Sequence, residues 1–298
     1  MLSDKKIIVI GGDGRQKEVI RILTEQHANL ILVGFDTFYT YDHSHNTIRS
    51  KLSSPIFDRT DAVILPVTGT NNEGLIESSY TSESLVLLEE HIQGVPDSCK
   101  IFTGTATEYL KSLCYKHHIE LVELLSKDEI AIYNSISTAE GAIMLAIQNT
   151  EITIHNSVCM VLGFGRIGIT LANKLKNLGA KVKIGVGESS LFARAWEMGL
   201  EPFYLSDIFT QVSNADVIFN TIEYKYLTEP IISNLKTDTL IIDLASKPGG
   251  TDFIFAEKVG IKALLASGLP GMIAPKTSGQ IIAHGILKEL SPGKDRSL

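Results

Sequence analysis

Three scarcities in this 298-residue sequence exclude whole classes of protein. Its three cysteines, Cys99, Cys114 and Cys159, are odd in number and widely spaced, so they form no disulfide framework and fit reduced thiols in a cytosolic core. Basic residues number 27 against 34 acidic ones, and the net charge of −7 lacks the footprint of a nucleic-acid-binding protein. No apolar run approaches the roughly 18 residues of a membrane span. The apolar run Ile7–Ile10 is also too short for a secretory signal, so we expect a cytoplasmic protein.

The hydrophobic content of 44% is enough for a full core, and strand-like runs alternate with helix-like stretches along most of the chain. This rhythm predicts parallel sheets covered by helices on both faces. Strands are predicted at Lys6–Ile10, Leu30–Val33, Ala62–Leu65, Lys100–Phe102, Ile119–Glu123, Val158–Gly163, Lys181–Val186, Val217–Asn220, Leu240–Leu244 and Ala263–Leu265. Helices are predicted at Gln16–His27, Ser82–Gln93, Thr107–His117, Gly165–Leu178, Ser190–Met198, Ser206–Val212 and Asp252–Val259.

Two further helices divide the chain into domains. The stretch YNSISTAEGAIMLAIQNT, residues 133–150, predicts a helix capped by Ser137 or Thr138, and a second helix is predicted from about Thr277. We therefore predict one domain over residues 1–132 and 277–298, and another over residues 133–276. The polar stretch Thr37–Ser54, rich in His and Ser, is predicted to be a loop with irregular pairing.

The second domain opens with a glycine turn, Gly163-Phe164-Gly165-Arg166-Ile167-Gly168, directly after a predicted strand and at the start of a predicted helix. In a G-x-G-x-x-G turn the first glycine permits the tight turn and the second admits a pyrophosphate. The third lets helix and strand pack closely. The helix N-terminus then offers N–H groups to the phosphates, including those of Arg166 and Ile167. This context predicts a dinucleotide-binding Rossmann domain.

The identity of the dinucleotide depends on the segment GVGESSLFARA after the next strand. Glu188 stands where an acid binds the ribose hydroxyls of NAD, whereas Ser189, Ser190 and Arg194 would suit the 2′-phosphate of NADP. The residues alone leave the choice open.

The first domain begins with a different turn, Gly11-Gly12-Asp13-Gly14-Arg15-Gln16, followed by Lys17 where the third glycine would stand. Cations in the first turn of a helix are unfavourable unless an anion is present. The cluster therefore favours an anionic ligand smaller than a dinucleotide, such as a carboxylate. Thr68, Thr70 and Asn71, after another predicted strand, are candidates for the same crevice or for ordinary turn positions.

Six stretches resemble one known family over essentially the whole chain: GGDGRQKEV, YNSISTAEGAIMLAIQ, VLGFGRIGITLA, ARAWEMGLEP, DLASKPGGTDF and GLPGMIAPKTSGQIIA. The sequence resembles the A subunits of bacterial dipicolinate synthase. More distantly it resembles the D-2-hydroxyacid dehydrogenases and adenosylhomocysteinase. The resemblance implies an α/β protein of two doubly wound parallel-sheet domains linked by two helices. The N-terminal domain would be flavodoxin-like or Rossmann-like, and the C-terminal one would be an NAD(P)-binding Rossmann domain.

The resemblance also implies an activity. The family makes the spore acid pyridine-2,6-dicarboxylate, so we expect NAD(P)-dependent oxidation of dihydrodipicolinate, or its hydrated precursor, from the lysine and diaminopimelate pathway. It implies sporulation, the mother-cell cytoplasm and partnership with a flavoprotein-like B subunit. It favours NADP, with NAD as the alternative because Gly187 stands near the position where some members carry an arginine.

Site residues follow from that substrate and cofactor. The dicarboxylate needs donors, expected from Arg15, Gln16, Thr68, Asn134, Ser135 and Lys276. Lys247 is a catalytic candidate that would contact a carboxylate or orient the nicotinamide, with a solvated loop lysine as the alternative. Glu140 is a second catalytic candidate, with a surface acid near a helix start as the favoured alternative. The strand-end residues Asn220, Thr221, Ala245 and Ser246 complete the expected cofactor site with Gly163, Gly165, Arg166, Ile167, Gly168, Glu188, Ser189, Ser190 and Arg194.

Two other functions stay open. The chain could be a non-catalytic nucleotide-binding protein that positions the B subunit, or a 2-hydroxyacid dehydrogenase-like enzyme. The second is disfavoured because GLPGMIAPKT lacks the histidine that donates a proton to a ketone. Neither His43 with His45 nor His117 with His118 has a carboxylate or cysteine at metal-ligand spacing, so no metal site is predicted. A homo-oligomer is expected.

Overall fold

The structure, a computed structural model, describes residues 1–37 and 46–291. The chain divides into two compact units, Met1–Ala131 with Ala274–Leu298, and Ile132–Ile273. His43, His45 and residues 292–298 of the predicted first domain lie outside the described residues.

The secondary structure alternates between strands and helices. The strands are β1 (Lys6–Ile10), β2 (Asn29–Val33), β3 (Thr47–Ser50), β4 (Ala62–Ile64), β5 (Leu75–Ile76), β6 (Leu85–Val86), β7 (Lys100–Thr103), β8 (Glu120–Glu123), β9 (Val158–Leu162), β10 (Lys181–Val186), β11 (Glu201–Tyr204), β12 (Val217–Asn220), β13 (Leu240–Asp243) and β14 (Lys262–Leu265). The α-helices are α1 (Gly14–Glu25), α2 (Glu89–Ile92), α3 (Glu108–Lys116), α4 (Asp128–Asn149), α5 (Arg166–Asn177), α6 (Ser189–Glu197), α7 (Ile208–Gln211), α8 (Glu229–Ile232), α9 (Phe253–Lys258), α10 (Leu269–Ile273) and α11 (Pro275–Leu290).

Each unit contains one six-stranded parallel sheet. The first has the order β3-β2-β1-β4-β7-β8 and the second the order β11-β10-β9-β12-β13-β14. With the small β5–β6 hairpin set aside, both are the 3-2-1-4-5-6 order of a Rossmann fold. The predicted pair of doubly wound domains is confirmed, and the first unit has Rossmann rather than flavodoxin strand order.

The central strands are buried on both faces. In β9, Cys159 and Val161 join the core cluster that α4 and α5 cover, whereas Met160 and Leu162 join the cluster on the other face. This alternation follows from the two-residue period of a strand. It leaves the ends of the strands, and the loops that follow them, as the places where polar groups collect.

The helix α4 begins earlier than predicted. It starts at Asp128, so the predicted cap at Ser137 or Thr138 is wrong. Both hydroxyls instead donate to the backbone oxygen of Asn134 at 3.1 Å, which lets these residues sit inside a helix. By length and composition α4 is the described helix that could cross a membrane, but half of its most apolar window is buried, and its alanines Ala139, Ala142 and Ala146 are in the second core.

Two other local predictions are wrong. The predicted helix Ser82–Gln93 contains β6 and only the short α2. Around β6, Leu85 and Leu87 are buried and their neighbours are not, which is a two-residue period, and Leu85 pairs with Ile76 in an antiparallel hairpin. In the predicted loop Thr37–Ser54, residues 38–45 lie outside the described residues, and Thr47–Ser50 pairs with β2 in regular parallel register as the edge strand β3.

Candidate functional site

The second glycine turn has the geometry that its spacing predicts. Gly163 has φ +95°, and a Cβ there would lie 2.3 Å from Oγ1 of Thr221. A Cβ on Gly168 would lie 2.2 Å from the backbone oxygen of Gly163. Both positions therefore need glycine for backbone geometry and close packing between helix and strand.

Gly165 differs from its two neighbours in the motif. A Cβ there would meet no heavy atom within 4 Å, and Gly165 is the N-cap of α5 with no side chain to bond to the first turn. The N–H groups of a first helical turn have no partner within the helix and carry partial positive charge. This open helix start, whose cap residue has no side chain, fits the pyrophosphate of a dinucleotide. Arg166 and Ile167 are the first two residues of α5, as that role requires.

The residues after β10 surround the start of α6. Glu188 caps α6 with its backbone, and Oγ of Ser190 donates to Oε2 of Glu188 at 3.4 Å. Ser189 is exposed beside them, and a Cβ on Gly187 would meet nothing within 4 Å. Arg194 pairs with Glu197 at 3.2 Å and is largely exposed. An acid, two hydroxyls and a cation are thus present, so the geometry does not select between NAD and NADP.

A hydrogen-bond network lies beneath the ends of β12 and β13. Asn220 is fully buried, and its amide bonds both to the backbone of Ile222 and to Oδ1 of Asp243. The Asn220 side chain is therefore buried beneath the carboxyl ends of these strands and is not exposed to a ligand bound there. Thr221 donates to the backbone oxygen of Leu162, which ties its loop to the glycine turn. Sequence reasoning missed Asp243, which stands inside the predicted strand Leu240–Leu244 and is the last residue of β13.

The loop after β13 carries three predicted site residues. Ala245 is buried and its N–H donates to Asp243 at 3.1 Å. Ser246 and Lys247 are exposed, and the Lys247–Pro248 peptide bond is cis. Within the described residues the Lys247 ammonium has no hydrogen-bond or ion-pair partner, so it is available to a ligand.

The first glycine turn is closed by the protein's own groups. Asp13 caps α1 by accepting the N–H of Arg15 at 3.0 Å, and the Arg15 guanidinium binds the same carboxylate through Nε at 2.9 Å and Nη2 at 2.6 Å. Burial alone would raise the pKa of Asp13, but the bonds from Arg15 outweigh it and lower that pKa. The anion expected beside the cations of the first helical turn is therefore the Asp13 carboxylate, which binds Arg15. Sequence reasoning missed this role of Asp13.

A neighbouring segment also covers this turn. The N–H of Gly12 donates to the backbone oxygen of Glu77 at 2.8 Å, and Gly12 forms a parallel bridge with Ser78. Gln16 is buried, with its amide donating to the backbone oxygen of Leu65 at 3.2 Å. A Cβ on Gly12 would lie 2.3 Å from Cγ of Gln16. The first turn is thus built against its own chain, unlike the turn before α5.

A cavity of about 410 Å³ opens beside the first turn, at the carboxyl ends of β1 and β4. The structure brings Arg15 and Thr68 together in its lining, with Asp13 and Glu77. Within the described residues the Glu77 carboxylate has no hydrogen-bond or ion-pair partner. Thr70 and Asn71 serve structural contacts instead, Thr70 with Thr107 and Asn71 with the backbone of its own turn.

The other predicted substrate residues lie elsewhere. Lys276 is exposed at the start of α11, and its charge helps to lower the pKa of Glu18, which Arg21 lowers most. Asn134 and Ser135 belong to the second unit, inside α4. The Ser135 hydroxyl is buried, donates to the backbone oxygen of Ile132 at 2.6 Å, and lies 2.8 Å from that of Thr170.

Glu140 pairs with Lys174 at 2.9 Å and is about half exposed. It lies twelve residues into α4, counting from Asp128, so the helix-start argument for this acid is wrong. In the part of the chain that the structure describes, no group of three or more His, Cys, Asp or Glu side chains could hold a metal ion. The three cysteines are buried and free, and burial raises the pKa of Cys99 and Cys114 to about 12 and that of Cys159 to about 11.

Comparison with known proteins agrees with both halves of this description. Residues 6–125 match the family described as the N-terminal domain of the dipicolinate synthase A subunit, and residues 153–289 match the NADPH-binding domain of acetohydroxy acid isomeroreductase. The second match and the open glycine turn together support a nicotinamide cofactor. At 11% identity, the transhydrogenase from Sinorhizobium meliloti shares the fold, with a TM-score of 0.70 over 95% of this chain and 93% of that one.

Two relatives are much more similar. The A subunit of dipicolinate synthase from Bacillus subtilis (strain 168) is 47% identical over 98% of this chain and 97% of its own length. The crystal structure of the same enzyme's A subunit from Bacillus halodurans is 46% identical, with a TM-score of 0.94 over 98% of this chain and 99% of that one. This chain therefore belongs to the family of dipicolinate synthase A subunits.

Proposed function

We propose that the chain oxidises dihydrodipicolinate, or its hydrated precursor, to dipicolinate during sporulation, with NADP as the hydride acceptor and with a B subunit for its partner. The observation that carries the proposal is the difference between the two glycine turns. The start of α5 has no capping side chain and is open at Gly165, whereas the start of α1 is capped by the side chain of Asp13. The start of α5 therefore suits the pyrophosphate of a dinucleotide, whereas the start of α1 does not, and a small acid would instead bind in the cavity beside it.

The second unit supplies the cofactor residues. The first turn of α5 would bind the pyrophosphate, and the segment from Glu188 to Arg194 would bind the adenosine ribose and its phosphate. Thr221, Ala245 and Ser246 would line the rest of the site. A bound nicotinamide dinucleotide supplies a hydride acceptor, and the substrate must also release one proton, with aromaticity of the product as driving force.

The first unit supplies candidate substrate residues. Arg15 and Thr68 line one cavity, where the guanidinium would hold a substrate carboxylate in exchange for, or together with, Asp13. Further donors to the substrate would be Gln16, Asn134, Ser135 and Lys276. Two of these side chains, Gln16 and Ser135, are buried and already donate to backbone oxygens.

The two catalytic candidates, Lys247 and Glu140, differ in whether their charges are already paired within the protein. Lys247 is the stronger one, because its ammonium lies on an exposed loop and is unpaired among the described residues. The ion pair of Glu140 with Lys174 favours a surface role for that acid.

The charge of the cavity refines the substrate class. Asp13 and Arg15 neutralise each other, which leaves the carboxylate of Glu77 without a partner among the described residues. Glu77 would repel a substrate carboxylate placed beside it and would attract a protonated ring nitrogen, so a ligand with such a nitrogen would bind better than a dicarboxylate without one. Calorimetric titration with piperidine-2,6-dicarboxylate and pyridine-2,6-dicarboxylate compares these cases, because the first has a cationic nitrogen at neutral pH. The wild-type protein should prefer the piperidine compound, and Glu77→Gln should lose that preference.

An anaerobic stopped-flow experiment tests the reaction. The purified chain, without a partner, is mixed with freshly generated dihydrodipicolinate and either NADP⁺ or NAD⁺. A rise in the absorbance of the reduced nicotinamide, matched by dipicolinate formation, is expected, with the faster cofactor identified directly. If dinucleotide binds but turnover requires the B subunit, the chain is a positioning subunit instead.

A further inference from the structure

Asp243 is a buried charge that the proposed chemistry does not use. It is the last residue of β13 and is fully buried. Four donors converge on its carboxylate, none of them a cation: Nδ2 of Asn220 at 3.0 Å, the N–H of Ala245 at 3.1 Å, the N–H of Gly250 at 2.8 Å and Oγ1 of Thr251 at 2.5 Å. Within the described residues Asp243 forms no ion pair. A buried carboxylate is costly unless its acceptor positions are filled, and here they are filled by neutral groups alone.

Three of the four donors come from the two ends of one loop and from Thr251, the residue that follows it. The N–H of Ala245 opens the loop that carries Ser246 and Lys247, and the N–H of Gly250 closes it. A Cβ on Gly249 would lie 3.0 Å from Oδ2 of Asp243, so the loop returns directly onto this carboxylate. One side chain therefore contacts both ends of the loop, in addition to the backbone bond from Leu227 to Gly250 at 3.1 Å.

The same carboxylate also reaches the neighbouring strand ends. Asn220 lies opposite Asp243 in the β12–β13 register, and its amide holds the backbone of Ile222 at 2.8 Å. The adjacent Thr221 donates to Leu162, the residue before the glycine turn, at 2.8 Å. Hydrogen bonds thus connect the ends of β9, β12 and β13, which together form the edge where a Rossmann domain binds its ligand.

We propose that Asp243 is a positioning residue for dinucleotide binding: it touches no ligand, but it fixes the 245–250 loop relative to the turn before α5. Each of its donors would lose a buried acceptor if the carboxylate were changed, and the two ends of the loop would lose the side chain that they share. The inference rests on the proposed dinucleotide site. It predicts that affinity for the dinucleotide depends on a group lying beneath the binding surface.

The test compares two aspartates at opposite ends of one sheet. Asp243→Asn places an amide where two backbone N–H groups need an acceptor. Asp216→Asn is the matched control, because Asp216 accepts the N–H of Val158 at 2.7 Å and pairs with Lys236 near the amino ends of the same strands. The thermal midpoint should fall in both variants. The Kd for NADP⁺, measured by calorimetry well below those midpoints, should rise about tenfold or more in Asp243→Asn alone.

A second variant covers the case in which Asp243→Asn does not fold. Thr251→Val removes the hydroxyl donor but leaves the carboxylate and the backbone donors in place, so it should weaken NADP⁺ binding several-fold. Wild-type affinity in Asp243→Asn, or in Thr251→Val where Asp243→Asn does not fold, would refute the positioning role, and so would an equal loss in Asp216→Asn. Failure of the wild-type protein to bind either dinucleotide would instead refute the proposed site itself, and the role of Asp243 with it.

Discussion

Replacing Gly165 by alanine should separate binding from folding at the glycine turn. The residue has a negative φ, −89°, which alanine adopts without strain, and its added Cβ would meet no atom of the protein within 4 Å. A pyrophosphate approaching the first turn of α5 would meet that same methyl group. Gly163→Ala is the matched control, since it combines φ +95° with a Cβ 2.3 Å from Thr221.

The expected magnitudes differ in kind. In Gly165→Ala the poorer capping and the reduced entropy of the unfolded chain nearly cancel, so the free energy of unfolding should change by less than about 1 kcal/mol. Displacing the phosphate costs at least one charge-assisted hydrogen bond, about 1.5–3 kcal/mol, or roughly 10- to 150-fold in Kd. In Gly163→Ala the left-handed backbone and the overlap with Thr221 should cost about 2–5 kcal/mol of stability.

Two measurements decide the matter: urea unfolding of each variant without ligand, and calorimetric titration with NADP⁺ and NADPH. Gly165→Ala should unfold like the wild-type protein and bind the dinucleotide weakly. Wild-type affinity in this variant would show that the pyrophosphate does not approach Gly165. A loss of stability as large as that of Gly163→Ala would show that the space at Gly165 is occupied by the protein.

Three further predictions concern other charged and reactive groups. The pKa of Asp13 is lowered in the folded protein, so its pair with Arg15 stabilises the fold above the ordinary carboxyl pKa and stops doing so as the pH falls through the lowered value. In urea unfolding measured at a series of acid pH values, the free energy of unfolding should therefore fall less steeply for Asp13→Asn than for the wild-type protein. Glu140→Gln should change the free energy of unfolding by less than about 1 kcal/mol, since the pair with Lys174 is exposed, and a fall in turnover of about 100-fold would identify Glu140 as a base after all. The thiols of Cys99, Cys114 and Cys159 should resist iodoacetamide at about pH 8 and react after unfolding, because burial raises their pKa and blocks access; rapid labelling of the native protein, followed by mass spectrometry, would contradict this.

The main strands could be predicted from the sequence because burial on both faces leaves a continuous apolar run. The predicted bounds of Lys6–Ile10, Lys181–Val186 and Val217–Asn220 are those of β1, β10 and β12. The edge strands β3 and β11 were missed because they lack such a run, and β11 contains Pro202. The hairpin of β5 and β6 depends on pairing between residues about ten positions apart, which amphipathic periodicity does not report.

The two aspartates that organise the turns differ in how far the sequence reveals them. Asp13 acts on Arg15, two residues away, and an aspartate before a helix start is a recognised capping signal, so its role was readable. The role of Asp243 was not readable in the same way. Its partners Asn220 and Thr251 stand 23 and 8 positions away, and only the β12–β13 register and the path of the loop bring them together.

Both sheets have the same strand order, and in both the first strand is followed by a glycine turn and a helix. The two turns nevertheless differ in the groups that they present to a ligand. Asp13 fills the anion position at the start of α1 with a group of the protein, and the segment at Glu77 covers the turn from outside. At the start of α5 the corresponding position is Gly165, which has no side chain to offer. A helix start whose N–H groups are already bonded to a capping carboxylate binds a pyrophosphate weakly. A helix start without a capping side chain can donate hydrogen bonds to the pyrophosphate and attract its charge. The shared fold therefore does not make the first unit a second dinucleotide site.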